Sequence, residues 1–414
     1  MSRQKDPTTL ILLLAALQVL CSTYLLYIPN FYAINSFLFL LSGIGIAICL
    51  LQVPAIQVHR SEIIRSQLFF KLLIIVLLMP VSYQLARHIM DQNPLRIENA
   101  DMLPIMKTMG KRFWNGQWKQ VYQPIPEIWN GVQPIYLPAM WMPFSLSLIL
   151  HFDIRWITVC GIWLSVILCV LPPWRKSWKN ILLVAALITL LTWLHTDEDN
   201  NVIRLTEEGV VFFYYSALTV AIILFNPWLL GISVALCLLS RYAFVGWIPF
   251  AVLFLLATRQ HVFLLKTTGA AFLVILLILI LPFGIDPLLY HLHLQQDYMS
   301  QAVRVWREDP EFYYQSLGMA KFFGPSHIKL LHGVLTAGTF LIPMVFFMFV
   351  RKKFLFRSNM LLAGLQLSLT FFYNFLDITY LYLFYTPVFV SLIIAGWSVY
   401  GRQMKPLASI NTSQ

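Results

Sequence analysis

The chain has 414 residues, of which 59% are hydrophobic and 11% charged, and its mean hydropathy is +0.72; a soluble domain carries about 25% charged residues, so a soluble single-domain reading is excluded. The same composition excludes a disordered or collagen-like chain, and the five cysteines (Cys21, Cys49, Cys160, Cys169, Cys237) all fall in apolar segments, which excludes a disulfide framework. The net charge of +11 belongs to membrane topology rather than nucleic-acid binding, because the basic residues cluster in short loops between apolar runs.

Arg3 and Lys5 precede an apolar run that continues from Leu10 to Ile28 without a small-residue cleavage site, which predicts a retained span rather than a signal peptide. Leu20 directly before Cys21 argues against a lipoprotein box. A transmembrane helix needs roughly 20 apolar residues, and candidates follow at 8–28, 32–53, 68–90, 134–151, 155–171, 180–195, 209–225, 228–258, 268–282, 329–350, 359–376 and 378–399. The prediction is an all-α, polytopic membrane helical bundle of about 11–13 spans, one transmembrane domain over 1–414 with neither an internal repeat nor a linker. The 228–258 stretch holds Arg241 and Gly246 in its middle, so it reads as two half-spans or one interrupted helix, a feature associated with sites.

Basic loops orient the second half. Arg175, Lys176 and Lys179 fill one loop, Arg259 and Lys266 another, and Arg351, Lys352, Lys353 and Arg357 a third, with Arg402 and Lys405 in the tail; these go to the cytoplasm. The acidic loop 196–208 and the long loop 283–328 then face outward. Counting from a cytoplasmic N-terminus puts loop 91–133 outside, and two further spans would leave the Arg175 cluster outside as well. One segment between 91 and 171 must therefore be re-entrant or interfacial, and 134–143, with Pro134, Pro138 and Pro143, is the best candidate.

The outer loops 91–133 and 283–328 are too long for simple connections, and long loops in compact proteins tend to be functional. In the first, 103–114 is amphipathic, with Leu103, Met106, Met109, Phe113 and Trp114 near one stripe, which predicts an interfacial helix. Asp101 just before it reads either as that helix's cap or as a general base above the membrane surface. Asp197-Glu198-Asp199 has the spacing of a divalent-metal pair and equally that of a solvated loop; the balance favours the loop, so no metal ligand or cofactor is assigned. His291 and His293 are spaced for one face of a strand rather than of a helix, which speaks against zinc. Arg304, Trp306 and Arg307 can line a sugar and phosphate pocket, although boundary aromatics are more often belt anchors. Arg241 can hold a phosphate with its two-pronged donor, or can snorkel or pair with Asp377.

Asp101, Tyr122, Tyr136-Leu137-Pro138 and Met142-Pro143 resemble the start of the GT-C superfamily of membrane glycosyltransferases, most nearly glycosyltransferase family 87, the polyprenyl-phosphate mannosyltransferase-like group. Gln315-Ser316-Leu317-Gly318 followed by Phe322-Phe323-Gly324 is similar to a late outer-loop segment of that family, and Arg241 before Pro249 stands where a Lys is usual. The family's double proline and its Gly-Gln-x-x-Asn are absent, with Glu208-Gly209 the nearest remnant of the latter. The resemblance spans about 70–400 and implies a GT-C-like fold in a bacterial plasma membrane, with the active site facing outward. It implies a polyprenyl-phosphate sugar donor and a lipid- or glycan-linked acceptor hydroxyl, with inverting transfer of a hexose or pentose and no nucleic-acid partner. Asp101 would be the base, and Arg241, Tyr136, Asp197, Asp199, Arg304, Arg307, Gln315 and Ser316 the substrate contacts. The rival expectations are a transporter or flippase, with Arg241 and Asp377 as a midplane pair, and a ligase or polymerase of surface polysaccharide.

Overall fold

A computed structural model describes residues 7–53, 68–98, 101–129, 131–172, 178–197, 202–293, 295–354 and 359–401. Among them the architecture is all-helical, with a lone antiparallel bridge between Ile125 and Val132. In chain order the helices are α1 (Pro7–Cys21), α2 (Tyr32–Leu50), α3 (Leu68–Gln92), α4 (Met102–Trp114), α5 (Pro138–Leu150), α6 (Trp156–Val170), α7 (Trp178–Thr196), α8 (Val202–Leu205), α9 (Glu208–Ile223), α10 (Pro227–Leu238), α11 (Trp247–Ala257) and α12 (His261–Phe283). There follow α13 (Asp286–His293), α14 (Gln295–Glu308), α15 (Glu311–Tyr314), α16 (Ala320–Phe323), α17 (Ile328–Phe354), α18 (Asn359–Asn374) and α19 (Tyr385–Gly401). Five helical stretches, in α2, α7, α12, α17 and α19, are long and apolar enough to cross a membrane, and α1, α5, α6, α9, α10 and α11 are shorter apolar helices. The expected interruption in 228–258 is real: α10 and α11 are separate, joined by residues 239–246.

Local chemistry sets these boundaries. Pro227 at the first turn of α10 follows Asn226, whose Oδ1 accepts from the backbone N–H of Trp228 (3.1 Å) and Leu229 (3.2 Å), satisfying donors that a helix start leaves open. Pro138 likewise begins α5, and His151, in the left-handed region at φ 53°, ends it. In α4, Leu103, Ile105, Met106 and Met109 are buried while Lys107 and Lys111 are exposed, as the amphipathic pattern predicts.

Contacts sort the helix ends into two groups. At one end Lys179 Nζ donates to Thr8 Oγ1 (3.0 Å) and Asn359 Nδ2 to the Val53 carbonyl (2.7 Å); this end adjoins the basic loops. At the far end the Tyr27 hydroxyl donates to Asp197 (2.6 Å) and the Tyr385 hydroxyl to the Ser22 carbonyl (3.1 Å). Arg155, in the turn after α5, donates to the carbonyls of Asn93 (2.6 Å) and Met90 (3.1 Å), tying that turn to the far end of α3. The other end of α5 is fastened by the Ala139 N–H to the carbonyl of Leu239, just past α10 (3.1 Å). Between these ends α5 packs along α4, where a Cβ on Gly110 would come within 3.0 Å of Ser145 and Leu148. The segment expected to be re-entrant or interfacial is thus the start of a helix that begins and ends toward the far end, and α6 then descends to the basic loop.

Elsewhere the packing follows membrane rules, in which close backbone approach and polar contacts replace the hydrophobic drive. A Cβ on Gly161 of α6 would strike the backbone of Gly209 in α9, and one on Gly209 would strike Thr158. Thr158 Oγ1 also donates to the Thr206 carbonyl (2.7 Å). This contact presses the start of α9 against α6. Within the core, Gln366 of α18 donates to Ser391 of α19 (3.0 Å).

Candidate functional site

The helix lengths shape the site. At a rise of about 1.5 Å per residue, α10 and α11 reach only about 18 Å each, well short of a hydrocarbon core of about 30 Å. Their junction therefore lies below the level that longer neighbours reach at the far end, and Arg241 stands in that junction. Its Nε donates to Glu208 Oε1 (2.7 Å), and its Nη2 reaches Glu208 Oε1 and Glu207 Oε1 (3.1 Å). The Tyr215 hydroxyl donates to the Arg241 carbonyl, holding the turn. Both glutamates are wholly buried, and among the described residues neither Oε2 has a hydrogen-bond partner. The glycine contact between α6 and α9 places them there, since they occupy the first turn of α9 and the residue before it.

Asp101 opens onto the same cluster. It occupies the cap position of α4, yet its side chain makes no capping bond. Burial raises the Asp101 carboxyl above its ordinary range, against the lowering effect of hydrogen bonds from its own backbone and from Trp129. Burial also raises Glu207, opposed by Arg241 and reinforced by Asp101. Tyr136 links the two, because burial and then the charges of Glu207 and Asp101 hold its phenol well above its usual range. Across the cluster, the Tyr382 hydroxyl approaches Met102 Sδ at 3.9 Å, and Tyr380 stacks on Tyr382 with centroids 5.3 Å apart. Tyr380 feels both Asp101 and Arg304. Asp101, Tyr136, Arg241 and, at the rim, Arg304 thus belong to one electrostatic neighbourhood, drawn from α4, the approach to α5, the α10–α11 junction and α14.

The remaining expectations fall differently. Arg241 does not pair with Asp377: Asp377 is bonded to His332 Nδ1 (2.6 Å), and Arg241 has two other carboxylates. Glu207 and Glu208, read from sequence as part of an acidic outer loop, are buried ligands of that arginine. Ser316 is a structural strap, its Oγ donating to Thr379 Oγ1 (2.8 Å) and accepting from the Gly318 N–H (3.2 Å). Gln315 and Arg307 are exposed beside it and on α14. Arg304 is 65% exposed and only 3.9 Å from Glu308, a weak surface pair that leaves its charge available. Asp197 accepts from Tyr27 at the far end of α7, away from the cluster's hydrogen bonds; Asp199 lies outside the described residues. His293 is exposed and bonds the Leu289 carbonyl of its own helix (3.2 Å), while the His291 side chain lies outside the described residues.

Trp129 was missed from sequence, although its setting is unusual. It sits in the turn closed by the Ile125–Val132 bridge with φ at 46°, a left-handed conformation that costs a bulky residue of order 1–3 kcal/mol. Arg112 clamps the approach to that turn by donating to the carbonyls of Gln120 (2.8 Å), Gln123 (2.6 Å) and Pro124 (3.0 Å). Among the described residues no group of three His, Cys, Asp or Glu side chains is placed to hold a metal ion. No protein-family model, curated protein or solved structure matches the chain.

Proposed function

We propose that the protein is an integral membrane glycosyltransferase of GT-C type, moving a hexose or pentose from a polyprenyl-phosphate donor to a lipid- or glycan-linked hydroxyl at the outer face of a bacterial plasma membrane. The observation that carries this reading is Asp101: a half-buried carboxylate at a helix start that makes no capping bond and shares one electrostatic neighbourhood with Tyr136 and Glu207. In the reaction the acceptor oxygen bonds to the anomeric carbon, the bond from that carbon to the phosphate oxygen breaks, and the acceptor proton passes to Asp101. The polyprenyl phosphate departs and the anomeric centre inverts.

The charge pattern reassigns the phosphate contact. Arg241 is engaged by two carboxylates, so its part is to hold Glu207 and Glu208 in place. Arg304 at the rim has a charge free for the leaving phosphate, with Arg307 on the same helix. The test is loss of label from a panel of purified polyprenyl-phosphate sugars, with Asp101→Asn as control. Consumption that falls by about 10²–10⁴-fold in the variant, the usual contribution of a positioned base, supports the reading; undiminished consumption removes Asp101 from the mechanism.

One observation favours a second reading. A buried Arg with two carboxylates at a helix break is the type of group that transporters use for protons or charged substrates. Electrogenic uptake into proteoliposomes, lost in Glu207→Gln, with every lipid-phosphate sugar left intact, would move the assignment to a carrier.

A further inference from the structure

The apolar face of α4 is spent inside the protein, where Leu103, Ile105, Met106, Met109 and Gly110 are buried. A helix that lies on a bilayer gives that face to the lipid, so α4 as a whole does not rest on the membrane that way. What it turns outward is its last turn and the reversal that follows, Lys111-Arg112-Phe113-Trp114-Asn115-Gly116-Gln117-Trp118-Lys119. The reversal is rigid. Gly116 is left-handed at φ 73°, its N–H donates to the Phe113 carbonyl (3.1 Å), and the Gln117 N–H donates to the Arg112 carbonyl (2.9 Å), the paired bonds with which a glycine closes a helix end. Trp118 donates its indole N–H to the Phe113 carbonyl (3.1 Å) and stacks on the Phe113 ring with centroids 5.8 Å apart, while Trp114 meets that ring edge-on at 5.2 Å. Both indoles stay half open, Trp114 at 49% and Trp118 at 51% exposure.

Phe113 also sets their height. Its ring packs against Phe283 with centroids 6.1 Å apart, and Phe283 is the last residue of α12, a helix long and apolar enough to cross the membrane. Leu277 and Leu281, on the preceding turns of α12, are exposed as a lipid-facing surface would be. The two indoles therefore stand at the outer end of a span, the level that tryptophan favours at a membrane–water boundary. Charge accompanies them there. Lys111 and Lys119 are exposed, Arg112 spends its N–H groups on uncharged carbonyls, and 102–126 contains no Asp or Glu. Among the described residues none of these three cations is paired with a carboxylate.

We propose that this turn is a docking site for anionic lipid headgroups of the outer leaflet, with Lys111 and Lys119 on the phosphates and Trp114 and Trp118 at the ester level beside them. Rings alone would hold any lipid, whereas uncompensated cations select a lipid of net negative charge. The site is independent of the reaction at Asp101, which lies at the opposite end of α4.

The test uses full-length protein labelled with 5-fluorotryptophan, in phosphatidylcholine nanodiscs doped with phosphatidylglycerol or phosphatidylcholine that is spin-labelled near the ester end of an acyl chain. The Trp114 and Trp118 resonances are identified by their loss in Trp114→Phe and Trp118→Phe. Both are expected to broaden more with labelled phosphatidylglycerol than with labelled phosphatidylcholine, while buried Trp141 stays sharp with either. The excess should fall about fivefold for each lysine removed in Lys111→Gln and Lys119→Gln, and should vanish at about 1 M salt, where the screening length is about 3 Å. Equal broadening by the two lipids overturns the proposal and reduces the turn to an unselective aromatic belt. Broadening by neither overturns it as well, by placing both indoles in water, and so does a preference that survives loss of both lysines.

Discussion

Two arginines near the far end of the bundle make the same kind of bond and do different things. Arg155 closes its account: it grips both oxygens of Asp153 (2.9 and 2.6 Å) and two backbone carbonyls, one cation against one anion. Burial alone would raise Asp153, but its bonds from Arg155 hold the carboxyl below its usual range. Arg241 faces two wholly buried glutamates, so two carboxylates meet one guanidinium, and among the described residues neither Glu207 Oε2 nor Glu208 Oε2 has a hydrogen-bond partner. A neutral, fully bonded pair fastens α5 in place. A guanidinium held against two buried carboxylates is the kind of imbalance by which functional sites are recognised.

The widest separation between the two should come from removing each arginine. Arg241→Met leaves two carboxylates uncompensated and inaccessible to water, and is expected to cost about 3–5 kcal/mol, read as the midpoint of unfolding in mixed micelles. Adding Glu207→Gln and Glu208→Gln should recover most of that loss, because no buried charge then remains. If the triple variant is as unstable as the single one, the arginine acts through packing and the comparison fails.

Arg155→Ala should cost less, about 1–3 kcal/mol for carbonyls and a carboxylate that lose their donors, because the Asp153 side chain is 32% exposed and can turn to water. The variant should keep catalytic turnover per folded molecule. An equal loss for the two arginines would show that burial, rather than charge imbalance, sets the cost.

The contrast also shows where sequence reasoning reaches. Apolar run length located most helices to within four residues, missing by seven at the end of α1 and at the starts of α12 and α19, and amphipathic spacing found α4, since both depend on local pattern alone. The conflict of sides between 91 and 171 drew attention to 134–143, which in the structure is the extended approach to α5 and its first turns. Arg241, Asp101 and Tyr136 stood out through an unusual charge or a short motif. Glu207 and Glu208 did not, because acidic residues at the end of a polar loop look solvated; what buries them is the glycine contact between α6 and α9, a tertiary feature spread over some 50 positions of chain. Ser316, whose short motif reads as a site, is buried and bonded to Thr379 and Gly318, contacts that the motif alone does not announce. The left-handed turn at Trp129 was hidden because a backbone angle leaves no compositional trace.

The smallest effect is the sharpest discriminator between a fastening residue and a working one. Asp101 has its carboxyl raised by burial, so the folded state holds that proton more tightly than the unfolded one. Its stabilising contribution is therefore full below the ordinary carboxylate range and is lost as pH rises through the folded value. At neutral pH the ionised group is a liability to folding, and Asp101→Asn should be slightly more stable than the parent, by under about 1 kcal/mol because the side chain is only half-buried. Activity should run the opposite way, rising as pH climbs through the same raised value and vanishing in the variant. Asp153→Asn carries the opposite sign, since its carboxyl is lowered: it should lose stability at neutral pH and keep turnover. Thermal midpoints and pH–rate profiles of these two variants give four measurements with four predicted signs, and a stability loss in Asp101→Asn would return that carboxylate to the ordinary work of holding a helix.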